Sequence, residues 1–308
     1  MDRHFGTLPT GEPATLYTIS LGPVCAKVTD LGATLVSLSL PCKENVVLGW
    51  DNAGDYLSRW GCVGATVGRC ANRIGGACFV LNGTTWTLNA NDGGNSLHSG
   101  PDGWHKRLWK VVDRSDSNIT FQLESPHGDQ GFPGNLTARV TYSLEAPATL
   151  VIRYWAISDR DTIFNPTNHS YFNLGKDALK QTLMMPARTY TPFGKNRLPT
   201  GEVVTVAGTP MDFRTPKTIG QDLNLFFRGY DHNFEVFCDP CAVLRDPESG
   251  LTMAVTTDRP GLQLFTTRWG VCLETQFWPD AIHHTEWTQP VIQAGVPHES
   301  RTTFAFSW

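Results

Sequence analysis

Short apolar runs alternate with turn residues along the whole chain. Phe79-Val80-Leu81 and Thr85-Trp86-Thr87-Leu88 flank Asn82-Gly83. Both central residues of a type I′ turn need positive φ, so this stretch predicts a tight hairpin. Residues 140–144 and 150–155 flank Glu145-Ala146-Pro147-Ala148-Thr149. Alternation there puts Val151, Arg153 and Trp155 on one face and Ile152 and Tyr154 on the other. Residues 242–244 and 251–255 flank Asp246-Pro247-Glu248-Ser249-Gly250 and predict a further hairpin. The stretch 302–306 reads as a strand. Amphipathic helical windows of eleven or more residues are scarce. Many short strands at regular spacing predict an all-β fold, a large antiparallel sandwich or barrel with little helix, rather than βαβ units. The Gly-rich run 61–68 carries no phosphate-loop lysine and opens no helix, so it reads as a strand that other backbone approaches closely.

Composition narrows the class. The 308 residues would suggest two domains at roughly 150 residues each, although all-β folds run longer as one. The expectation is one domain over 1–308. Charged residues make up 18% of the chain, below a usual ~25%. The 29 glycines and 20 prolines fit many turns. With 40% apolar residues spread along its length, the chain has enough to bury a core, which excludes intrinsic disorder. A net charge of −4 and the lack of a basic stripe argue against nucleic acid as a partner. No stretch approaches 18 uninterrupted apolar residues, so no membrane partner is expected. No apolar segment follows Met1-Asp2-Arg3-His4, so a cytoplasmic location with reduced thiols is the expectation for the eight cysteines. Cys238-Asp239-Pro240-Cys241 lacks the second pair of a zinc ribbon and reads as packing near a strand end.

Polar residues inside apolar segments mark candidate chemistry. His98 sits in the turn 95–100, His169 lies among aromatics in 166–174, and Glu274 interrupts the apolar run 271–277. A carboxylate in such a run is costly to bury unless paired or functional. From residue types alone, each histidine fits a hydrogen-bonded core role equally well. There is no GxSxG elbow for Ser-His-Asp hydrolysis. His283-His284 would point to opposite faces of a strand and makes a poor chelate.

At these residues the chain resembles the aldose 1-epimerase (galactose mutarotase) family. The likeness is carried by Thr29-Asp30-Leu31-Gly32-Ala33-Thr34, Gly68-Arg69-Cys70-Ala71-Asn72-Arg73-Ile74, Asn95-Ser96-Leu97-His98, Gly131-Phe132-Pro133-Gly134-Asn135-Leu136 and Thr167-Asn168-His169-Ser170-Tyr171-Phe172-Asn173-Leu174. It continues through Leu198-Pro199-Thr200-Gly201, Asp212-Phe213-Arg214, Tyr230-Asp231-His232-Asn233-Phe234, Pro260-Gly261-Leu262-Gln263 and Cys272-Leu273-Glu274-Thr275-Gln276. Ten motifs in family order are highly specific. The resemblance implies a large antiparallel β-sandwich of the galactose mutarotase type, a supersandwich, with an open sugar cleft. It implies interconversion of α and β anomers of free hexoses such as galactose and glucose, by a monomer or weak homodimer. No metal and no cofactor are implied.

The resemblance also implies roles: Glu274 as general base, His169 as general acid, His98 as a ring-oxygen contact. Asn72, Arg73, Asp231 and Gln263 are implied as sugar-hydroxyl ligands, with Ser170 and Tyr171 beside the acid. Ring opening needs the C1 hydroxyl proton removed while the ring oxygen gains one, which is work for one base and one acid. A charged Glu–His pair would lower the Glu pKa and raise that of His. Trp278 or Phe277 could pack on a sugar face, although core packing fits them better. The segment 264–273 is shorter than in many family members, so the expectation is either a more open rim or one reshaped by Arg268 and Trp269. Two other readings remain. A hexose-6-phosphate epimerase would need a basic cluster, for which Arg73, Arg214 and Arg268 are the candidates. A noncatalytic sugar-binding protein of the same fold would tolerate loss of Glu274 or His169.

Overall fold

A computed structural model describes residues 2–224 and 227–308. Its framework is a nine-stranded antiparallel sheet in the order Lys110–Arg114, Asn118–Ser125, Leu136–Glu145, Thr149–Ser158, His298–Ser307, Thr252–Thr257, Ala242–Arg245, Thr182–Met184 and Lys217–Thr218. A four-stranded sheet, Arg3–Thr7, Pro13–Leu21, Val24–Thr29 and Thr34–Ser39, runs in chain order. A six-stranded sheet is ordered Tyr171–Phe172, Val271–Gln276, Gly261–Thr266, Asp231–Glu235, Thr189–Thr191 and Val204–Thr205. Among the described residues the only α-helix is Ala53–Ser58, where Asn52 Oδ1 accepts from the Asp55 amide at 3.0 Å. No helix there is long and apolar enough to cross a membrane.

The three sheets share one apolar core. Ile19, Val28 and Leu35 come from the four-stranded sheet, Phe121, Val140, Ile152 and Phe304 from the large one, and Phe234, Leu264 and Leu273 from the six-stranded one. All are buried because alternate residues of each strand point to the facing sheet. The predicted two faces are present: Ile152 and Tyr154 point inward, while Arg153 and Trp155 are partly exposed; Val151, on the face of Arg153 and Trp155, is buried as well.

The predicted hairpins form. Cys78–Leu81 pairs with Thr84–Thr87, with Asn82 at φ 51° and Gly83 at φ 74°. Glu145 faces Thr149 across one connection and Arg245 faces Thr252 across another. The Gly-rich run corrects its expectation in part, since only Thr66–Val67 is a strand. Gly61 and Gly64, at φ 79° and 68°, turn the chain before it. The close approaches are present: a Cβ on Gly64 would lie 2.1 Å from the Leu35 carbonyl oxygen, and one on Gly68 would lie 2.0 Å from the Trp104 ring. All eight cysteines are free, and the buried Cys241 donates to the Val255 carbonyl at 3.3 Å.

Phe304 ties the large sheet to the strand that follows His169, its ring centroid 4.8 Å from that of Phe172. Phe304→Ala is expected to lower unfolding free energy by about 3–5 kcal/mol, the usual range for a truncated core phenylalanine. Urea denaturation measures it, and a loss below about 1 kcal/mol would contradict the packing role.

Candidate active site

The strand Val271–Gln276 forms the floor of a cleft, and all six of its residues are buried. Glu274 faces Gln263 on the neighbouring strand, and Gln263 faces Asn233 on the next. Asp231 precedes Asn233 by two, so its side chain leaves on the same face. Gln263 Nε2 donates to Asp231 Oδ1 at 2.7 Å, which fixes both side chains. Pairing between strands thus brings three polar residues from distant parts of the chain onto one surface.

His169 lies between the short strands Thr167–Asn168 and Tyr171–Phe172. Its amide donates to the Ala65 carbonyl and its carbonyl accepts from Gly64. Asn168 locks the same turn: its Nδ2 donates to the Gly64 carbonyl at 2.9 Å and to the Tyr142 hydroxyl at 3.0 Å, and its Oδ1 accepts from the Ser170 amide at 3.1 Å. The close approach that requires Gly64 is therefore part of what holds His169. Its imidazole stacks on Tyr171 at 5.0 Å, and its Nε2 stands 3.7 Å from Glu274 Oε1.

His98 has φ 52°, and its Nδ1 accepts from the Asn72 amide at 3.1 Å while its own amide donates to the Asn72 carbonyl at 2.9 Å. An accepting Nδ1 leaves the proton of a neutral ring on Nε2. The His98 ring meets His169 edge-on at 5.6 Å. Arg73 follows Asn72 and donates through Nε to Asp92 at 2.6 Å.

These groups border a cleft of about 440 Å³ lined by Asn72, Arg73, His98, His169, Tyr171, Asp231, Gln263 and Glu274 among others. Ser170 is the one expected ligand outside that lining. It is buried with an unpartnered Oγ, because neighbouring residues on extended backbone point opposite ways. Trp278 and Phe277 do not reach the cleft either; Trp278 packs on Trp287 and donates to the Pro260 carbonyl. The lining also includes residues outside the expected site set, Phe265, His105, Arg197 and Trp60 among them. Phe265 stands edge-on to His169 and Tyr171, His105 comes from the turn Trp104–Lys106, and Arg197 reaches Asp231 at 3.5 Å. Trp60 packs edge-on to Tyr171 and at 5.7 Å from Trp269. Only Trp269 had a sequence signal, the short segment 264–273; both indoles are about half exposed, at 48% and 55%. Among the described residues, one group with the spacing to hold a cation converges here, His169, Cys272 and Glu274.

A model of the family described as aldose 1-epimerase matches residues 15–305. The chain belongs to the aldose 1-epimerase family. It is 35% identical to an aldose 1-epimerase of Haemophilus influenzae, with 97% of each chain covered. It is 33% identical to galactose mutarotase of Bos taurus, covering 98% of this chain and 97% of that one. Among solved structures, a GalM/aldose epimerase homologue from C. elegans superposes with a TM-score of 0.90 at 25% identity, over 96% of this chain and 99% of that one. A galactose 1-epimerase from Lactobacillus acidophilus gives 0.89 at 27% identity, over 100% and 98%. This member of the family is accordingly an isomerase on a large antiparallel β-sandwich.

The electrostatics of this epimerase site overturn the expectation of a charged pair. Burial pushes the Glu274 carboxyl well above its ordinary range, and the charge of Asp231 adds to the rise. Burial pushes His169 down to about 4, against a smaller upward pull from Asp231. His98 is lowered well below its ordinary value, first by burial and then by repulsion of its protonated form from the nearby His169, His105 and Arg73. Two opposite charges attract each other, but each also costs free energy to dry. Here drying dominates, so each group favours its neutral form.

His169 therefore couples stability to acid. Between its unfolded value near 6.5 and its folded value of about 4, the unfolded chain binds a proton that the folded one refuses. Its contribution is lost as pH falls through that window, by up to about 3 kcal/mol for a dry imidazole. Glu274 acts oppositely, since a raised carboxyl costs stability as pH rises above its unfolded value. His169→Gln is expected to flatten the loss of the urea midpoint between pH 6.5 and 4. An unchanged slope would show that His169 is not held neutral.

Proposed function

We propose that this cleft opens and recloses the ring of free aldohexoses, galactose and glucose among them, with Glu274 as general base and His169 as general acid. The observation that carries the reading is the 3.7 Å separation of His169 Nε2 and Glu274 Oε1 on a buried floor bordered by Asn72, Arg73, His98, Asp231 and Gln263. In a hemiacetal the C1 hydroxyl and the ring oxygen share one carbon, so the base and the acid must stand within a few ångströms of each other.

Glu274 takes the proton from the C1 hydroxyl and His169 gives one to the ring oxygen. The bond from C1 to the ring oxygen breaks, C1 becomes an aldehyde carbon, and rotation about C1–C2 presents its other face. Reclosure returns both protons. The protons balance within the pair: ring opening turns a carboxylate and an imidazolium into a carboxylic acid and a neutral imidazole. Burial favours that neutral pair at rest as well, so the form that reacts is the less populated charged tautomer of the same one-proton pair. In this reading His98, neutral with its proton on Nε2, donates to the ring oxygen; its place in the cleft lining supports that. Asp231 and Gln263 suit sugar hydroxyls, and a site built to pair them rejects analogues lacking them.

The arginines named for a hexose 6-phosphate do not supply a free basic cluster. Arg214 is held by Asp212 through bonds of 2.9 and 2.7 Å, and neither Arg214 nor Arg268 borders the cleft. Arg73 does, but its guanidinium is engaged by Asp92. The adjacency of Glu274 and His169 favours turnover over passive binding.

Polarimetry on freshly dissolved galactose tests the roles. Glu274→Gln is expected to cut the enzymatic rate by about 10²–10⁴-fold, and near-native activity would sink the assignment. Galactose and glucose are expected to turn over, and glucose 6-phosphate to be poor. In metal-free buffer kcat/KM should trace a bell. Below about pH 4 His169 holds a second proton on the pair and Glu274 stays blocked as base. Above the raised Glu274 value the pair holds none, and the acid is missing. A rate that keeps rising into the alkaline range would contradict the pairing.

A further inference from the structure

The cleft floor holds a third polar side chain that anomer chemistry does not use. Cys272 precedes Glu274 by two residues on Val271–Gln276, so both side chains leave the strand on the same face. Cys272 faces Tyr171 on one neighbouring strand and Phe265 on the other. The rings of those two residues pack around His169, which closes the thiol into the same dry corner. One ligand atom from each of His169, Cys272 and Glu274 lies within 4.8 Å of the other two. All three residues are buried.

That set has the composition of a zinc site and comes close to its spacing. Zinc takes sulfur at about 2.3 Å and nitrogen or oxygen at about 2.0–2.2 Å in tetrahedral geometry, which sets its ligands roughly 3.3–3.8 Å apart. The 3.7 Å between His169 Nε2 and Glu274 Oε1 already meets that spacing. The sulfur needs to close by about an ångström or less. A thiolate with an imidazole selects thiophilic cations over magnesium or calcium, which prefer all-oxygen sets. Among the described residues no other three His, Cys, Asp or Glu side chains converge in this way.

We propose that His169, Cys272 and Glu274 bind zinc and related thiophilic divalent cations at the cleft floor, with the fourth position open to the cleft, and that the bound ion excludes sugar. On binding, the Cys272 S–H proton and the Glu274 carboxyl proton both pass to water as the sulfur–metal and oxygen–metal bonds form, and His169 coordinates as its neutral imidazole; nothing is oxidised or reduced. The ion occupies the nitrogen and the carboxylate oxygen that ring opening needs. That inhibition rests on the proposed acid and base roles, whereas the binding rests on geometry alone.

Cobalt(II) is the optical probe, because a cobalt–thiolate bond gives a near-ultraviolet charge-transfer band and a tetrahedral site gives intense visible bands. The native protein titrated with cobalt(II) is expected to show both at one ion per chain. Zinc should displace them and excess galactose should weaken them. Cys272→Ser, with Cys272→Ala as a second variant, should lose the charge-transfer band. Each should also raise the zinc concentration for half-inhibition of galactose mutarotation at least tenfold and leave metal-free activity near native. Absence of the band in native protein, or its survival in both variants, overturns the site. A band lost in the variants but indifferent to galactose keeps the site and instead overturns the placement of sugar against Glu274 and His169.

Discussion

The site depends on one constraint: a carboxyl and an imidazole are held 3.7 Å apart in a place too dry to favour charge on either. Water around either group would restore ordinary acid and base strengths, and the pair would settle as an ion pair. Dryness instead keeps the charged arrangement high in free energy, so the pair rests as a carboxylic acid beside a neutral imidazole. The surrounding structure maintains that condition. Tyr171 and Phe265 cover the imidazole, and the fully buried strand Val271–Gln276 excludes solvent from beneath Glu274.

Rigidity has a separate source. Glu274, Gln263 and Asp231 sit on three hydrogen-bonded strands, so their spacing is that of a β-sheet rather than of loops. His169 and His98 come from irregular backbone and are fixed differently, by Asn168 in one case and by the reciprocal bonds with Asn72 in the other. Both asparagines are buried, and each spends its amide or main-chain groups on backbone. Polar side chains that hold turns are thus as much part of the cleft as those that face it.

Much of this was legible in the sequence where the signal was local. Asn82-Gly83 gave its hairpin because the turn type dictates residue types. Glu274 stood out because a charge inside an apolar strand is rare. Ser170 was misplaced because adjacency to His169 carries no information about which way a side chain points. Arg197, His105 and Trp60 gave no signal: each reaches the cleft only through the packing of loops distant in sequence. The directions of the two central pKa shifts were read backwards, since neighbours can be inferred from motif chemistry but the degree of desolvation cannot. The run 61–68 was half legible, its close approaches following from its glycines while its conformation depended on positive φ at two of them.

The placement of His298–Ser307 carries a kinetic consequence. This strand lies in the interior of the nine-stranded sheet, between Thr149–Ser158 and Thr252–Thr257. While the chain is being synthesised, those two partners emerge from the ribosome long before the strand that joins them. Each waits with a free hydrogen-bonding edge, the feature that invites pairing with another chain. Assembly of the large sheet therefore waits on a strand made long after its neighbours and has high contact order, and the nascent chain is most exposed to chaperones and to aggregation in the interval before that strand emerges.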